Sequence, residues 1–232
     1  MDDREYFDVL RGAMHTLTEQ FVHPAEVDVV LRNVTASSLE LIEGVDSADV
    51  LLVTGPDRLN SVAATSQIAV DIDDLQKRFG EGPCLDAAVG DSVVLCNDLR
   101  DEARWPTFAE SAVAAGIHSM MSLQLYTDKS RRGALNLFGR APDVFNPEKE
   151  AVAAMLATHA AIALIANDER LQFKSALASR DVIGQAKGMI MERFDVDAVR
   201  AFELLKKLSQ SSNTRLVAVA EELVARGSER KS

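Results

Sequence analysis

The 232-residue chain is 47% hydrophobic and 26% charged, a balance typical of a globular protein with one large core or two small ones. Its formal net charge of −11 argues against nonspecific nucleic-acid binding by the chain as a whole, and acids in the first twenty residues argue against a signal peptide. The apolar stretch 151–166 is short for a membrane span and is interrupted by Thr158 and His159, so we expect a cytoplasmic protein without membrane contact.

The front part of the chain alternates between helix and strand patterns. Apolar residues at helical spacing predict an N-terminal helix over 6–21 and a second helix over 26–43. A hairpin is predicted from two short runs, 48–54 and 60–66, around the turn residues Gly55-Pro56-Asp57. The elements that follow are a helix over 68–78, a loop over Gly80–Cys84, a strand over 92–96, a helix over 105–115, and strands over 117–126 and 133–140 with a polar hairpin loop between them.

A long helix is predicted after these strands. Asn146 is suited to cap it, Pro147 to occupy its first position, and acidic residues fill its first turn. The chain has no further proline and no glycine before Gly184, so the helix can continue to about Phe194. Its apolar stripe favours a coiled coil between two chains, with a kinked pair of ordinary helices as the alternative. The stripe consists of Leu164, Leu171, Ala178, Val182, Ala186 and Met189.

Two shorter helices complete the predicted fold. Asp195 or Asp197 can cap the first, which is expected to end near Gln210, and Asn213 is predicted to cap the second, which ends near Gly227. The predicted inward residues are Ala198, Phe202, Leu205 and Leu208 on the first, and Leu216, Val219, Ala220, Leu223 and Val224 on the second.

Charge is divided unevenly along the chain. Residues 168–232 carry 12 Lys and Arg against 10 Asp and Glu, while the preceding residues carry 13 against 26. The acidity therefore belongs to the front part, and the tail can still present a basic surface.

Motifs in the tail carry a family resemblance. They are the stretch Arg180–Met191, with Gly184, Lys187 and Gly188, and further on Ala201-Phe202, Leu205, Ser209, Asn213, Leu216 and Val219-Ala220. Together they resemble the signature of the ANTAR domain, a bacterial three-helix output module, over about residues 170–227.

The front part carries a second resemblance. Gly82-Pro83-Cys84 before an Ala-rich helix, the strand 133–138 and the helix start 145–150 resemble the GAF domain, a mixed α/β sensor fold, over about residues 30–166. The pairing is similar to GAF–ANTAR regulators. It implies an α+β GAF-like sensor domain, with an antiparallel sheet flanked by helices, then a long connector helix and an all-α three-helix domain.

The two resemblances set the expected domains and function. The domains are an N-terminal helix over 1–24, a GAF-like domain over 25–166, a coiled-coil connector over 167–179, an ANTAR-like domain over 180–227 and a tail over 228–232. ANTAR proteins act as dimers that bind paired stem-loops in messenger leaders and prevent a transcription terminator from forming. The resemblance thus implies a homodimer whose partner is RNA, without enzymatic activity.

RNA-binding residues are expected at two places. Readers of RNA contact loops with polar and stacking side chains and phosphates with cations, and a helix N-terminus favours anions. Candidates on the long helix are Arg180, Lys187 and Arg193. Candidates near the start of the last helix are Ser209, Asn213, Thr214 and Arg215. Solvated lysines and a purely capping Asn213 are the alternatives.

The front domain is expected to sense a small-molecule ligand that the sequence does not identify, and no cofactor is predicted. Cysteine and histidine spacing does not support a metal site. Cys84 follows a glycine-rich loop, where a thiol can be exposed and activated, and Cys96 could resolve a sulfenate formed on it. A GAF-type thiol sensor or reductase and a DNA-binding regulator therefore stand as alternatives.

Overall fold

The computed structural model describes residues 11–12, 26–53, 59–90, 92–125 and 132–229, and it divides into two units, 1–167 and 168–232. The helix predicted over 6–21 lies outside the described residues except at 11–12, where the chain is helical. The turn Gly55-Pro56-Asp57 and nearly all of the loop 127–132 also lie outside them.

The first unit contains a five-stranded sheet and the helices around it. Its helices are α1 (Val27–Leu41), α2 (Gln67–Phe79), α3 (Pro83–Val89) and α4 (Pro106–Ala114), and it also holds the start of α5 (Pro147–Phe194). Its strands are β1 (Ser47–Val53), β2 (Leu59–Val62), β3 (Val93–Cys96), β4 (Ser119–Leu125) and β5 (Arg132–Gly139). The predicted α+β class is confirmed.

The strands lie in the order β2-β1-β5-β4-β3, and every neighbouring pair is antiparallel. Both predicted hairpins, β1–β2 and β4–β5, are confirmed by this pairing. The connection from β2 to β3 runs through α2 and α3 and leads to the other edge of the sheet. Strand β5, the last in sequence, lies at the centre between β1 and β4.

The pleat of the sheet separates two apolar cores. Side chains alternate between the faces of a strand, so Leu135 and Leu137 enter one core while Ala134 and Phe138 enter the other. The first core also holds α1 and the start of α5, represented by Val34 and Leu156. The second core contains residues of α2, α3 and α4, such as Ile72, Ala87 and Phe108. Both faces of the sheet are covered.

The loop predicted over Gly80–Cys84 is shorter than expected. Gly80 ends α2 in the left-handed conformation at φ 66°, but Pro83 already occupies the first turn of α3 and Cys84 lies inside that helix. Gly82 between them has φ 133°, and a Cβ there would lie 2.3 Å from Oε1 of Gln76. Glycine is required because the backbone passes so close to this side chain.

Helix α5 is continuous over Pro147–Phe194, as predicted. Asn146 caps it by accepting a hydrogen bond from the Lys149 backbone N–H at 2.9 Å. Among the described residues, α5 alone has the length and apolar composition that a membrane span requires. This is weak evidence for a span, since core helices have the same composition, and Ala153, Leu156 and Ala160 of α5 are fully buried in the first core.

The second unit packs the end of α5 against α6 (Ala198–Ser212) and α7 (Leu216–Glu229). Asp197 caps α6, as predicted, by accepting from the Arg200 backbone N–H at 2.8 Å. Ala186 and Ile190 of α5, Ala201 and Leu205 of α6, and Val219 and Ala220 of α7 form its core.

Two expectations about this unit are wrong. Phe202 and Leu208 were predicted to face inward, but they are 42% and 46% exposed, and the smaller Ala201 is buried instead. Asn213 was predicted to cap the start of α7, but it ends α6 in the left-handed conformation at φ 50°. Its backbone N–H bonds back to the Gln210 carbonyl, which is the ordinary ending of a helix at glycine or asparagine.

The apolar stripe of α5 is used in three ways. Leu164 is buried in the first core, and Val182 and Ala186 pack in the core of the second unit. Between them, every residue from Glu169 to Ala178 is exposed, including Leu171 at 47%. Both ends of the stripe are therefore packed within the chain. Only its exposed middle, residues 169–178, is left for the predicted seam between two chains.

Candidate functional site

Three polar side chains form a row across the middle of the sheet. The register pairs Asp49 of β1 with Asn136 of β5, and Asn136 with Ser122 of β4. Directly paired residues project from the same face of a sheet, so all three point toward α2 and α3. All three are fully buried.

Helices α2 and α3 cover this row with further polar groups. Asp73 and Gln76 lie three residues apart on α2 and therefore share its inward face, and Cys84 lies in the first turn of α3. All three are buried. We call these six residues the buried polar cluster: Asp49, Asp73, Gln76, Cys84, Ser122 and Asn136.

Hydrogen bonds connect the cluster from sheet to helix. The Asn136 amide donates to Asp49 Oδ1 at 2.8 Å and lies 3.4 Å from Asp73 Oδ1. Gln76 holds Cys84 through two atoms: its Oε1 accepts from the Cys84 backbone N–H at 2.9 Å, and its Nε2 lies 2.7 Å from the thiol sulfur. The hydroxyl of Ser61 on β2 completes the set by donating to Asp49 Oδ2 at 3.0 Å.

The environment of the two carboxyl groups disfavours their ionised form. Burial raises the pKa of Asp49 well above its ordinary value, and the charge of Asp73 and a hydrogen bond to it raise that pKa further. Burial also raises the pKa of Asp73. Two carboxylates so close together do not both ionise easily, so the pair retains a proton to a higher pH than exposed aspartates do.

Burial argues against the alternative of an exposed, activated Cys84 thiol. Cys84 is fully buried, and burial together with the charges of Asp73 and Asp49 raises the pKa of its thiol well above the ordinary value. Cys96 is also buried, and desolvation and a hydrogen bond from the thiol to the Glu102 carboxylate raise the pKa of the thiol to about 12. Both cysteines are free thiols. Neither has the electropositive, accessible setting that activates a thiolate.

In the second unit, the turn between α6 and α7 brings four predicted RNA-binding residues together. The Ser209 hydroxyl donates to the Thr214 carbonyl at 2.6 Å, and the Thr214 hydroxyl donates to the Ser212 carbonyl at 3.1 Å. Asn213 and Arg215 flank Thr214, and their side chains are exposed. We call Ser209, Asn213, Thr214 and Arg215 the polar turn.

The three basic candidates on α5 do not form one stripe. Arg180 and Lys187 are seven residues apart and share a face, because about 3.6 residues make a helical turn. Arg193, six residues beyond Lys187, projects from a different direction. Arg180 and Arg193 are exposed, whereas Lys187 is half-buried beside the core residue Ala186.

We predict that the free energy of unfolding of the wild type falls, relative to that of the Asp49→Asn variant, as the pH rises. With its pKa raised in the folded state, Asp49 contributes stability that is fully present below its unfolded pKa of about 3.9 and is lost as pH rises toward the folded pKa. Each extra bound proton changes the free energy of unfolding by up to about 1.4 kcal/mol per pH unit. Urea unfolding between about pH 4 and pH 7 should show Asp49→Asn gaining stability relative to the wild type as pH rises.

Asp71→Asn is the matched control for this measurement. Asp71 lies on the same helix as Asp73 but is exposed, so its substitution should leave the pH dependence like that of the wild type. If the Asp49→Asn and wild-type curves run parallel across the range, the raised pKa of Asp49 is refuted.

We also predict that both thiols resist modification in the folded protein. Because Cys84 and Cys96 are buried, an aromatic disulfide reagent at mildly alkaline pH should react at least about 100-fold more slowly than in denaturant, since local opening must come first. Absorbance of the released thiolate measures both rates. A thiol that reacts at the denatured rate without denaturant would show that the burial is wrong.

Comparison with known proteins agrees with these two units. The model of the GAF domain matches residues 24–165, and the model of the ANTAR domain matches residues 171–224. No curated protein sequence matches the chain.

Solved structures resemble the first unit. The free methionine-R-sulfoxide reductase of Neisseria meningitidis has a TM-score of 0.53 and 20% identity, over 73% of this chain and 95% of that one. The corresponding enzyme of Staphylococcus aureus has a TM-score of 0.52 and 13% identity, over 68% and 94%. GAF3 of Slr1393 from Synechocystis has a TM-score of 0.51 and 12% identity, over 63% and 98%. At these identities the likeness establishes the fold alone. The chain belongs to the GAF domain family and carries an ANTAR domain after its GAF domain.

Proposed function

We propose that the chain is a dimeric cytoplasmic regulator that binds paired stem-loops in messenger leaders and prevents transcription termination, under the control of a ligand of its GAF domain. A GAF sensor followed by an ANTAR domain is the architecture of a regulator. The observation that carries the proposal is the ANTAR match over residues 171–224, which includes the polar turn.

The polar turn has the chemistry that RNA loops require. Ser209 and Thr214 use their hydroxyl protons within the turn, so we assign them to fixing its shape, while their oxygens remain able to accept. The side-chain amide of Asn213 both donates and accepts, which suits the edge of an unpaired base. Arg215 supplies a cation for phosphate just before α7 begins. Arg180, Lys187 and Arg193 of α5 are proposed as further phosphate contacts.

Dimerisation is proposed through the exposed middle of α5. Leu171, Phe173 and Leu177 are 47%, 66% and 45% exposed there, which is an unfavourable surface for a single chain in water. Leu171 and Ala178 keep the seven-residue spacing of a coiled-coil seam. A second copy of the chain, packed along the face of Leu171 and Ala178, would bury Leu171, whereas Phe173 and Leu177 project from other directions of the helix.

The alternatives have weaker support. Thiol chemistry at Cys84 conflicts with its burial and raised pKa, although two similar folds belong to reductases. A duplex-DNA reader would need a basic recognition helix, and α7 instead exposes Glu221 and Glu222.

We predict that Asn213→Gly and Arg215→Gln each weaken binding to a two-hairpin leader RNA by about tenfold or more. Arg215→Gln loses a hydrogen bond to a charged phosphate, which contributes roughly 1.5–3 kcal/mol, and Asn213→Gly leaves a base edge unsatisfied, at a cost of about 1–3 kcal/mol. Glycine at position 213 keeps the left-handed backbone without strain, so its effect reports the lost amide. Arg215→Gln should also flatten the salt dependence of binding.

Arg226→Gln serves as the matched control. Arg226 lies near the far end of α7, pairs with Glu222, and loses the same charge on substitution. Filter binding or fluorescence anisotropy measures all three variants. If Asn213→Gly and Arg215→Gln bind like Arg226→Gln, the polar turn is not the RNA site.

We predict that Leu171→Asp converts the dimer to monomers in analytical ultracentrifugation, since a buried unpaired carboxylate opposes association. Gln172→Asp adds the same charge one residue away, outside the seven-residue stripe, and should leave the dimer intact. Leu171→Asp that sediments as a dimer would exclude this seam.

A further inference from the structure

The buried polar cluster has more hydrogen-bond acceptors than donors. Asp73 Oδ1 receives three donors: the Gln76 amide at 3.3 Å, the Asn136 amide at 3.4 Å and the Cys84 thiol at 3.5 Å. Apart from a proton shared with Asp49, the second oxygen, Asp73 Oδ2, has no hydrogen-bond donor among the described residues, and neither does the buried amide oxygen Asn136 Oδ1. Such orphaned acceptors are costly in a protein interior.

No cation compensates the carboxyl pair among the residues that the structure describes. The groups that chiefly set the pKa values of Asp49 and Asp73 are each other and Asn136, Ser61, Cys84 and Asp74, which are neutral or acidic. Both unsatisfied atoms are oxygens, so the missing group must donate hydrogen bonds, and the carboxyl pair favours a donor that is positively charged.

We propose that Asp49, Asp73 and Asn136 form the recognition site for the ligand of the sensor domain, and that this ligand presents a cationic N–H group, an ammonium or an amidinium. The inference rests on the proposed function in one respect, that the first unit senses a small molecule. The N–H groups of the bound cation, three or more in number, would donate hydrogen bonds to Asp73 Oδ2, Asn136 Oδ1 and a carboxylate oxygen of Asp49.

Entry to this site requires movement of α3. Asp49 and Asn136 are fully covered, and Cys84 of α3 is joined to the cluster through Gln76. The same helix is joined to Trp105, whose Nε1 donates to Asp86 Oδ2 at 2.9 Å. Trp105 is the single tryptophan of the chain, so its fluorescence reports any shift of α3.

The test is a titration of the full chain with methylammonium and with acetamidinium at constant pH and ionic strength, followed by tryptophan fluorescence and by Tm. Tetramethylammonium is the matched control, because it carries the same charge without an N–H donor. We expect a saturable fluorescence change and a rise in Tm of at least about 2 °C with the N–H cations, since a ligand that binds the native state stabilises it. Tetramethylammonium should produce neither.

Two variants locate the effect. Asp49→Asn and Asp73→Asn should each remove the saturable response, and the exposed Asp71→Asn should keep it. A response that survives in Asp49→Asn, an equal response to tetramethylammonium, or a stronger response to Mg²⁺ or Ca²⁺ would overturn the proposal. So would a fluorescence change that only acidification produces, because the cluster would then take up a proton alone. Neither readout involves RNA, so failure of RNA binding overturns only the function proposed above.

Discussion

The sheet's alternation of side chains is the constraint on which the first unit depends. One face of β5 sends Leu135 and Leu137 into the core that contains α1 and α5, and the other sends Asn136 toward α2 and α3. A shift of one residue in the register would move Asn136 among the leucines and strand a carboxyl partner on the opposite face. Apolar burial on one side therefore fixes the geometry of the polar row on the other.

The buried polar cluster has a cost that the apolar cores must offset. Burying Asp49 and Asn136 of the sheet against Asp73 of α2 desolvates three groups that water would otherwise solvate, and two of their oxygens have no partner among the described residues. A core of leucine and valine at these positions would be more stable. Groups held at such a cost are concentrated where proteins bind or react, so the cluster is better explained as a recognition site than as packing.

The sequence predicted the elements well because their signals are local. Pro147 and the absence of any later proline determine α5, which continues through Gly184 and Gly188, and the left-handed Gly80 ends α2. The cluster was missed because its members lie far apart in sequence, from Asp49 to Asn136, and only strand register brings them together. Asn213 was misassigned for a related reason, since asparagine serves both the start of a helix and a left-handed ending. Phe202 was placed inward by its helical spacing from Ala198 and Leu205, whereas the core of the three helices contains the smaller Ala201.

The sheet lies between the proposed ligand site and the start of α5, because it separates the two cores. Asn136 lies between Leu135 and Leu137 on β5, and these leucines share the opposite core with Leu156 of α5. Interiors are close-packed, so a displaced strand does not leave its neighbours unchanged. Drawing Asn136 toward a bound cation would shift both leucines against the start of α5. In that case the central strand would connect the polar cluster to α5, the helix that continues into the second unit.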